Sequence, residues 1–312
     1  MKERIVYIIN PISGTSDKKA IVEYINKSTD KNKFDCEVYY TKSAGDGYHS
    51  AKKFAESGYN RVVAVGGDGT VNEVARGLLR TDAALGIIPL GSGNGLARHL
   101  KIPLNYHKAF QITQGGEIIS CDYGLLNNKP FFCTSGSGFD AQVGKRFARL
   151  GRRGFITYAQ ASFMEYFQYY PQNYKITLNG KTFSRKAFLI TFANASQWGY
   201  NAYISPDASL NDGMLDLVIV SPFSFVKAPI IGIQMFTKNI YRSGNIEVFR
   251  FKELTIEREK PGYVHIDGDP VIDKKILHVK TITNELKIIT PAGKHTPFKF
   301  SQFNLNSYAQ LY

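Results

Sequence analysis

Residues 61–79 read RVVAVGGDGTVNEVARGLL. A continuous apolar run, RVVAVG, enters a glycine-rich turn, and a segment with helical spacing follows. Unbroken β-branched runs mark parallel strands buried on both faces. Val71, Val74 and Leu78 recur along one helix face, which predicts a helix over 71–79. Thr70 stands where it can cap that helix, and Glu73, three residues on, completes the spacing of a capping box. Open α/β sheets hold ligands at the strand ends where such turns lie.

The unit recurs on both sides. IVYIIN (5–10) is a strand followed by the turn PISGTSDK and a helix near 17–30. CEVYYT (36–41) is a second strand, and SAGDGYHSAKKFAESGY gives a turn and a helix. ALGIIPLG (84–91) is a fourth strand, and GSGNGLARHL turns into another helix. This alternation predicts an open, mostly parallel α/β domain. From about Ile118 the pattern changes to short strands, several alternating with period two and joined by polar turns such as LNGK (178–181). That predicts a second, antiparallel β-rich domain. Two helical candidates interrupt it, at 141–169 and 222–240. The expected division is 1–118 for the α/β domain and 119–290 for the β-rich domain, with a tail, 291–312, packing back on the first.

The chain has 312 residues and is 43% hydrophobic, enough for two ordinary domains. Its first residues, MKERIVYIINP, lack the apolar core and cleavage site of a signal peptide. The longest apolar stretches fall short of the roughly 20 residues a spanning helix needs, so the expected location is cytoplasmic. Cys36, Cys121 and Cys133 have no metal-ligand spacing and read as free thiols. A net charge of +13 admits nucleic acid, an anionic membrane face or phosphate-bearing ligands. No helix-turn-helix, zinc-finger or RNP-like pattern appears, which argues against nucleic acid.

The strand ends carry the chemistry. Asn10 to Gly14, Thr41 to Asp46, Gly66 to Thr70 and Gly91 to Gly95 each follow an apolar run and supply glycine, a small hydroxyl or an amide. Successive amides in such turns form an anion-binding concavity, helped by the next helix N-terminus. No GxxxxGK[ST] string occurs, and Gly91-Ser92-Gly93-Asn94-Gly95 lacks the third-glycine spacing of a dinucleotide fold. Asp68 is the one charge inside its glycine turn. A carboxylate among phosphates calls for a divalent cation such as Mg2+ between them; alternatively Asp68 bonds the amides of its own turn.

Together these residues resemble the diacylglycerol kinase catalytic domain family, which includes bacterial lipid kinases and the sphingosine and ceramide kinases. The resemblance rests on Asn10-Pro11-x-Ser13-Gly14, Thr41…Gly45-Asp46, Gly66 through Glu73 and Pro89 through Asn94. It continues through Gly136-Ser137-Gly138-Phe139-Asp140-Ala141, the Asp212-Gly213-Met214-Leu215-Asp216 stretch and Ile266-Asp267-Gly268-Asp269. It implies a first domain similar to NAD kinases and phosphofructokinases, an antiparallel β-rich second domain, and a cleft taking ATP and a lipid hydroxyl. The implied nucleotide-binding set is Asn10, Ser13, Gly14, Thr41, Gly66, Gly67, Asp68, Gly69, Thr70, Glu73, Ser92, Gly93 and Asn94. Asp267 is implied as the group that deprotonates or orients the hydroxyl. Asp269 stands beside it where the family usually has glutamate, a carboxylate one methylene shorter. Asp212 and Asp216, with Asp68, are the implied Mg2+ ligands, although an ordinary strand-entry turn has the same spacing.

The expected activity is ATP-dependent phosphorylation of a lipid hydroxyl such as that of diacylglycerol or a sphingoid base. The alternatives are an NAD kinase-like small-molecule kinase and a catalytically weak lipid- or nucleotide-binding protein. GKRFARLGRRGF (144–155) sets basic residues among apolar ones, which suits peripheral contact with an anionic membrane carrying the lipid substrate, or a solvated basic face. PFSFVKAPIIGIQMF (222–236) is interrupted by Pro229 and Gly232 and reads as core packing or one wall of a lipid-tail pocket. A homodimer is a possible assembly.

Overall fold

The computed structural model describes residues 2–149 and 154–293, with the side chains of 148, 149 and 155 excepted. Leu150, Arg152 and Arg153 of the basic segment lie outside the described residues, as does the expected return of the tail from 294 onward. The chain divides into two compact units, one holding residues up to Cys121 and the stretch from Thr283, the other holding Asp122–Ile282.

The first unit is the expected α/β domain. Its strands are β1 (Glu3–Ile9), β2 (Phe34–Tyr40), β3 (Arg61–Gly66) and β4 (Ala84–Pro89), and its helices are α1 (Lys18–Ser28), α2 (Asp46–Glu56), α3 (Asp68–Leu78), α4 (Gly95–His99) and α5 (Tyr106–Gly115). All pairings are parallel, in the order β2-β1-β3-β4. Every residue of β3 and β4 is buried, as their unbroken apolar runs require. The sheet gains one more parallel strand from far along the chain, where Ile288 pairs with Leu85 of β4. Helix α1 turns Ile21 and Ile25 inward and is capped by Asp17. Helices α2 and α3 pack tightly enough that a Cβ on Gly77 would stand 2.5 Å from the Tyr48 carbonyl oxygen.

The second unit is the expected antiparallel domain, and it is a sandwich. Its elements begin with β5 (Glu117–Leu126, which enters from the first unit), β6 (Lys129–Phe131), β7 (Thr134–Gly138), α6 (Phe139–Arg149) and α7 (Phe155–Tyr166). There follow β8 (Gln172–Leu178), β9 (Lys181–Ala187), β10 (Leu189–Ala193), β11 (Leu215–Val220), a 3-10 turn (Phe225–Lys227) and α8 (Ala228–Phe236). The last strands are β12 (Ile246–Phe251), β13 (Glu253–Arg258), β14 (Gly262–Ile266), β15 (Asp269–Asp273) and β16 (Ile276–Thr290). One sheet runs β12-β11-β10-β7-β14-β15; in the other, the start of β16 pairs with β13, then β8 and β9. Phe192, Leu217 and Phe251 of the first sheet share a buried core with Tyr174, Ile256 and Val279 of the second. Asn179 and Gly180, both at positive φ, make the two-residue turn of the β8–β9 hairpin.

Two long runs that read as single strands change sheet part-way. KTFSRKAFLITFANA breaks at Phe188, so that β9 pairs with β8 while β10 pairs with β7 and β11. IEVFRFKELTIERE breaks at Lys252 in the same manner, between β12 and β13. A strand that switches layers makes a sandwich corner.

The apolar run 222–236 corrects its expectation of core packing. Helix α8 has only Ile231 buried, and Phe225, Val226, Ile230, Ile233 and Phe236 are exposed. Among the described residues no helix is long and apolar enough to cross a membrane.

Candidate functional site

Three turns leave the parallel sheet at its carboxyl edge and close on one another. After β1, the Asn10 carbonyl takes the Ser13 hydroxyl at 2.8 Å, and Asn10 Oδ1 takes the Ile12 amide at 3.1 Å. Gly14 follows at φ +58, where a Cβ would stand 2.0 Å from the Leu90 carbonyl oxygen. The turn after β1 therefore lies directly against the turn after β4. A Cβ on Gly91 would sit 2.7 Å from the Cα of Gly67, so the turns after β3 and β4 touch backbone to backbone as only glycines allow. Asn10 Nδ2 donates to Thr70 Oγ1 at 3.2 Å, joining the first turn to α3. Thr41, at the end of β2, donates its amide to the Ile9 carbonyl at 2.9 Å.

Helix α3 begins three residues earlier than its periodicity suggests, so Asp68, Gly69 and Thr70 form its first turn. The glycine turn is thus the helix N-terminus itself, and its first-turn amides and macrodipole favour an anion. The expected capping box does not form. Gly67 occupies the N-cap, and Glu73 lies too deep in the helix to reach back. Its carboxylate instead accepts the amides of Gly45 and Gly47, at 2.8 and 3.0 Å, and so caps α2.

Asp68 is half-buried, and its two oxygens accept the amides of Asn94 and Gly95 at 2.8 and 2.7 Å. The carboxylate ties the start of α3 to the start of α4. Burial pushes the Asp68 carboxyl up, against the pull of those amides. Asn94 is held at φ +52, with Nδ2 donating to the Gly91 carbonyl at 2.6 Å, and Arg98 Nε donates to the Gly93 carbonyl at 2.9 Å. Ser92 is exposed at the tip of the same turn. Asn10, Ser13, Gly14, Thr41, Gly66 to Thr70 and Ser92 to Asn94 thus line one edge of one sheet. Glu73 stands behind them.

In the second unit, Asp267 occupies the turn between β14 and β15 at φ +48. Its Oδ2 accepts the Phe132 amide at 2.9 Å, and its Oδ1 accepts those of Cys133 and Thr134 at 2.8 and 3.0 Å. Asp269 opens β15 and is exposed. Behind this turn, His265 Nε2 lies 3.0 Å from Asp140 Oδ2, both side chains buried. The Gly268 amide reaches His265 Nδ1 at 3.4 Å, an arrangement in which Nε2 carries the ring proton toward Asp140.

Asp212 and Asp216 are brought together by Arg250, which pairs with Asp212 and places Nε 3.4 Å from Asp216. Asp216 is buried and takes the Ser205 hydroxyl at 2.5 Å; burial pushes its carboxyl up to about 6. A guanidinium between two carboxylates does the charge-balancing that a metal would do, so this pair does not fit a cation site as it stands. Among the described residues no three His, Cys, Asp or Glu side chains gather as a metal cluster.

Comparison with known proteins decides the family. Residues 4–126 match the diacylglycerol kinase catalytic domain model, and 134–290 match the YegS C-terminal NAD kinase beta sandwich-like domain model. The chain belongs to the diacylglycerol kinase and YegS-like family. It is 32% identical over 229 residues to a Bacillus subtilis protein named diacylglycerol kinase, covering 70% of this chain and 73% of that one. It is 30% identical over 240 residues to a Chromohalobacter salexigens protein named "Probable lipid kinase YegS-like", covering 75% and 77%. A crystal structure of a Bacillus anthracis diacylglycerol kinase superposes with a TM-score of 0.71 at 22% identity, over 93% of this chain and 97% of that one, and shares the fold. Membership places the chain among kinase-type phosphotransferases that use ATP.

Within this kinase family chain, sequence reading misses His265 and Arg250. His265 lies two residues before Asp267, on the strand that leads into its turn, and nearness to a matching motif is the signal it carries. Arg250 has no such signal, because its partner Asp212 is 38 positions away. Asp140 appears in the sequence only as part of a matching motif; the structure adds its contacts with His265 and, at 3.3 Å, with the Thr191 hydroxyl.

Proposed function

We propose that the protein transfers the γ-phosphoryl group of ATP to the hydroxyl of a membrane lipid of the diacylglycerol class. The observation that carries this reading is the set of three interlocked glycine turns around the α3 N-terminus, a surface suited to polyphosphate. The bond from the γ-phosphorus to its bridging oxygen breaks, a bond to the lipid oxygen forms, ADP leaves and the Asp267 carboxylate takes up the hydroxyl proton. Such transfer relies on positioning and charge stabilisation. Asn10, Ser13, Gly14, Thr41, Gly66 to Thr70 and Ser92 to Asn94 are assigned to the nucleotide. Glu73 acts through α2, holding the turn at Gly45 and Gly47. Magnesium would enter with ATP and neutralise its phosphate charge; Asp68, whose two oxygens accept the Asn94 and Gly95 amides, is the carboxylate of this cradle that would hold it. Asp267 is assigned to orienting the acceptor hydroxyl, since three backbone amides fix its carboxylate, and Asp269 stands beside it on the exposed turn. The names carried by the relatives support a lipid acceptor.

The test is transfer of label from γ-labelled ATP to defined lipids and to NAD. A chloroform-soluble labelled product supports the proposal. Label recovered in NADP replaces it with a nucleotide kinase, and absence of transfer to any acceptor replaces it with a binding protein.

A further inference from the structure

The second unit carries an apolar surface with no polar explanation. Helix α7 and the segment from the 3-10 turn through α8 meet through aromatic side chains, with ring centroids of Phe163 and Phe167 at 5.8 and 5.1 Å from Phe225. Behind them Tyr166, Phe223 and Met235 pack on the buried cluster of Phe188, Val218 and Ile240, so the face is anchored to the core. In front of them Tyr170 is 83% exposed, Val226 81% and Ile233 64%. A helix apolar on all sides is normally buried, yet α8 buries one residue. An exposed apolar patch of this kind marks a contact surface.

The charges around it say what contacts it. Residues 221–242 contain no acid and three cations, Lys227, Lys238 and Arg242. Residues 154–170 contain one acid, Glu165, and its carboxylate is held by Arg146 at 2.7 Å. Aromatic and aliphatic side chains set beside cations, with no competing anion, are the chemistry of an anionic bilayer interface, where aromatic rings sit at headgroup depth. Helix α8 has nine residues, which suits lying in the interface and not crossing it.

We infer that the α7–α8 face is a membrane-docking surface that inserts Phe163, Phe167, Phe225, Val226 and Ile233 into an anionic lipid bilayer. This places bilayer contact on an aromatic edge of the second unit. The inference rests on the kinase reading only for its purpose, which is reaching a hydroxyl that resides in a bilayer.

The test is flotation of the full chain with vesicles of phosphatidylcholine alone or mixed with phosphatidylglycerol, without ATP. The wild type is expected to float with the mixed vesicles and weakly with the neutral ones. Phe167→Ser with Val226→Ser removes two exposed apolar anchors and is expected to lower partitioning about tenfold or more. Lys227→Glu with Lys238→Glu, which touches no apolar anchor, is expected to abolish the preference for anionic vesicles. Both doubles change exposed side chains, and an unchanged melting curve certifies their folding. Wild type that fails to float, or both doubles floating as wild type does, overturns the inference. So does an apolar double that turns a dimer into a monomer in sedimentation while still floating, since the face would then belong to a second copy. A chain that floats but transfers no phosphoryl group removes the kinase reading alone. A chain that phosphorylates a dispersed short-chain lipid but does not float removes the docking surface alone.

Discussion

Asp68→Asn separates two roles for the aspartate of the glycine turn, clamp and ligand. The carboxylate accepts two amides, one at each oxygen, from Asn94 and Gly95. Asparagine keeps one acceptor and turns an NH2 toward the other amide. The orphaned donor costs about 1–3 kcal/mol. The surviving bond loses its charge assistance, roughly halving its strength, or about 1 kcal/mol. The sum is roughly 2–4 kcal/mol, which at the size of the first unit lowers the melting temperature by about 5–15 °C. Thermal melting with and without ATP is the assay, alongside nucleotide affinity. A clamp predicts lower stability in the apo protein, weaker ATP binding because the α3 and α4 turns separate, and a Mg2+ requirement of unchanged midpoint. A wild-type melting curve combined with a displaced Mg2+ midpoint would refute the clamp and leave Asp68 as a cation ligand.

Further outcomes follow from the same geometry. Gly14→Ala forces a Cβ into left-handed backbone and against the Leu90 carbonyl, and should cost at least about 2 kcal/mol by urea denaturation and weaken ATP binding with it; unchanged stability means that the turns after β1 and β4 are not in contact. Asp267→Asn should abolish turnover and also lower the melting temperature, because it disturbs acceptors for three amides, whereas Asp269→Ala should lower turnover with little change in melting. Near-normal turnover in Asp267→Asn removes the role assigned to that residue. Asp216 keeps its proton to about pH 6 when folded, against an ordinary 3.8. Its raised value therefore contributes stability that is present below about pH 4 and is lost as pH rises through about 6, roughly 3 kcal/mol in all. The advantage of Asp216→Asn over wild type should grow across that window in urea titrations, and parallel curves would exclude it.

Much of the fold is legible in the sequence because hydrophobic period reports which face is buried. The unbroken run RVVAVG and the alternating strands after Ile118 state the two layer types directly. The breaks at Phe188 and Lys252 are not legible, since an apolar run continues through a corner without changing composition. The candidate site is legible as residue types at strand ends, but its wiring is not. Asp68 and Glu73 find backbone amides 26 to 28 positions away, and a backbone amide has no letter in the sequence. Glu73 matches the capping-box spacing, yet the helix starts at Asp68 and turns that carboxylate toward α2. Helix α8 shows the same limit in apolar form, because a hydrophobic stretch does not say whether anything covers it.

The strand that pairs with β4 sets the order in which the protein can be completed. Ile288 lies about 200 residues beyond Leu85, with nearly all of the second unit between them. At roughly 5–20 residues per second, the ribosome leaves the β4 edge without that neighbour for on the order of 10–40 s. An apolar strand edge exposed for that long is a template for pairing with another chain. Domains commonly mature from the N-terminus, but here the first sheet begun waits for a strand made after nearly all of the second unit, and premature termination before that strand leaves the parallel sheet open.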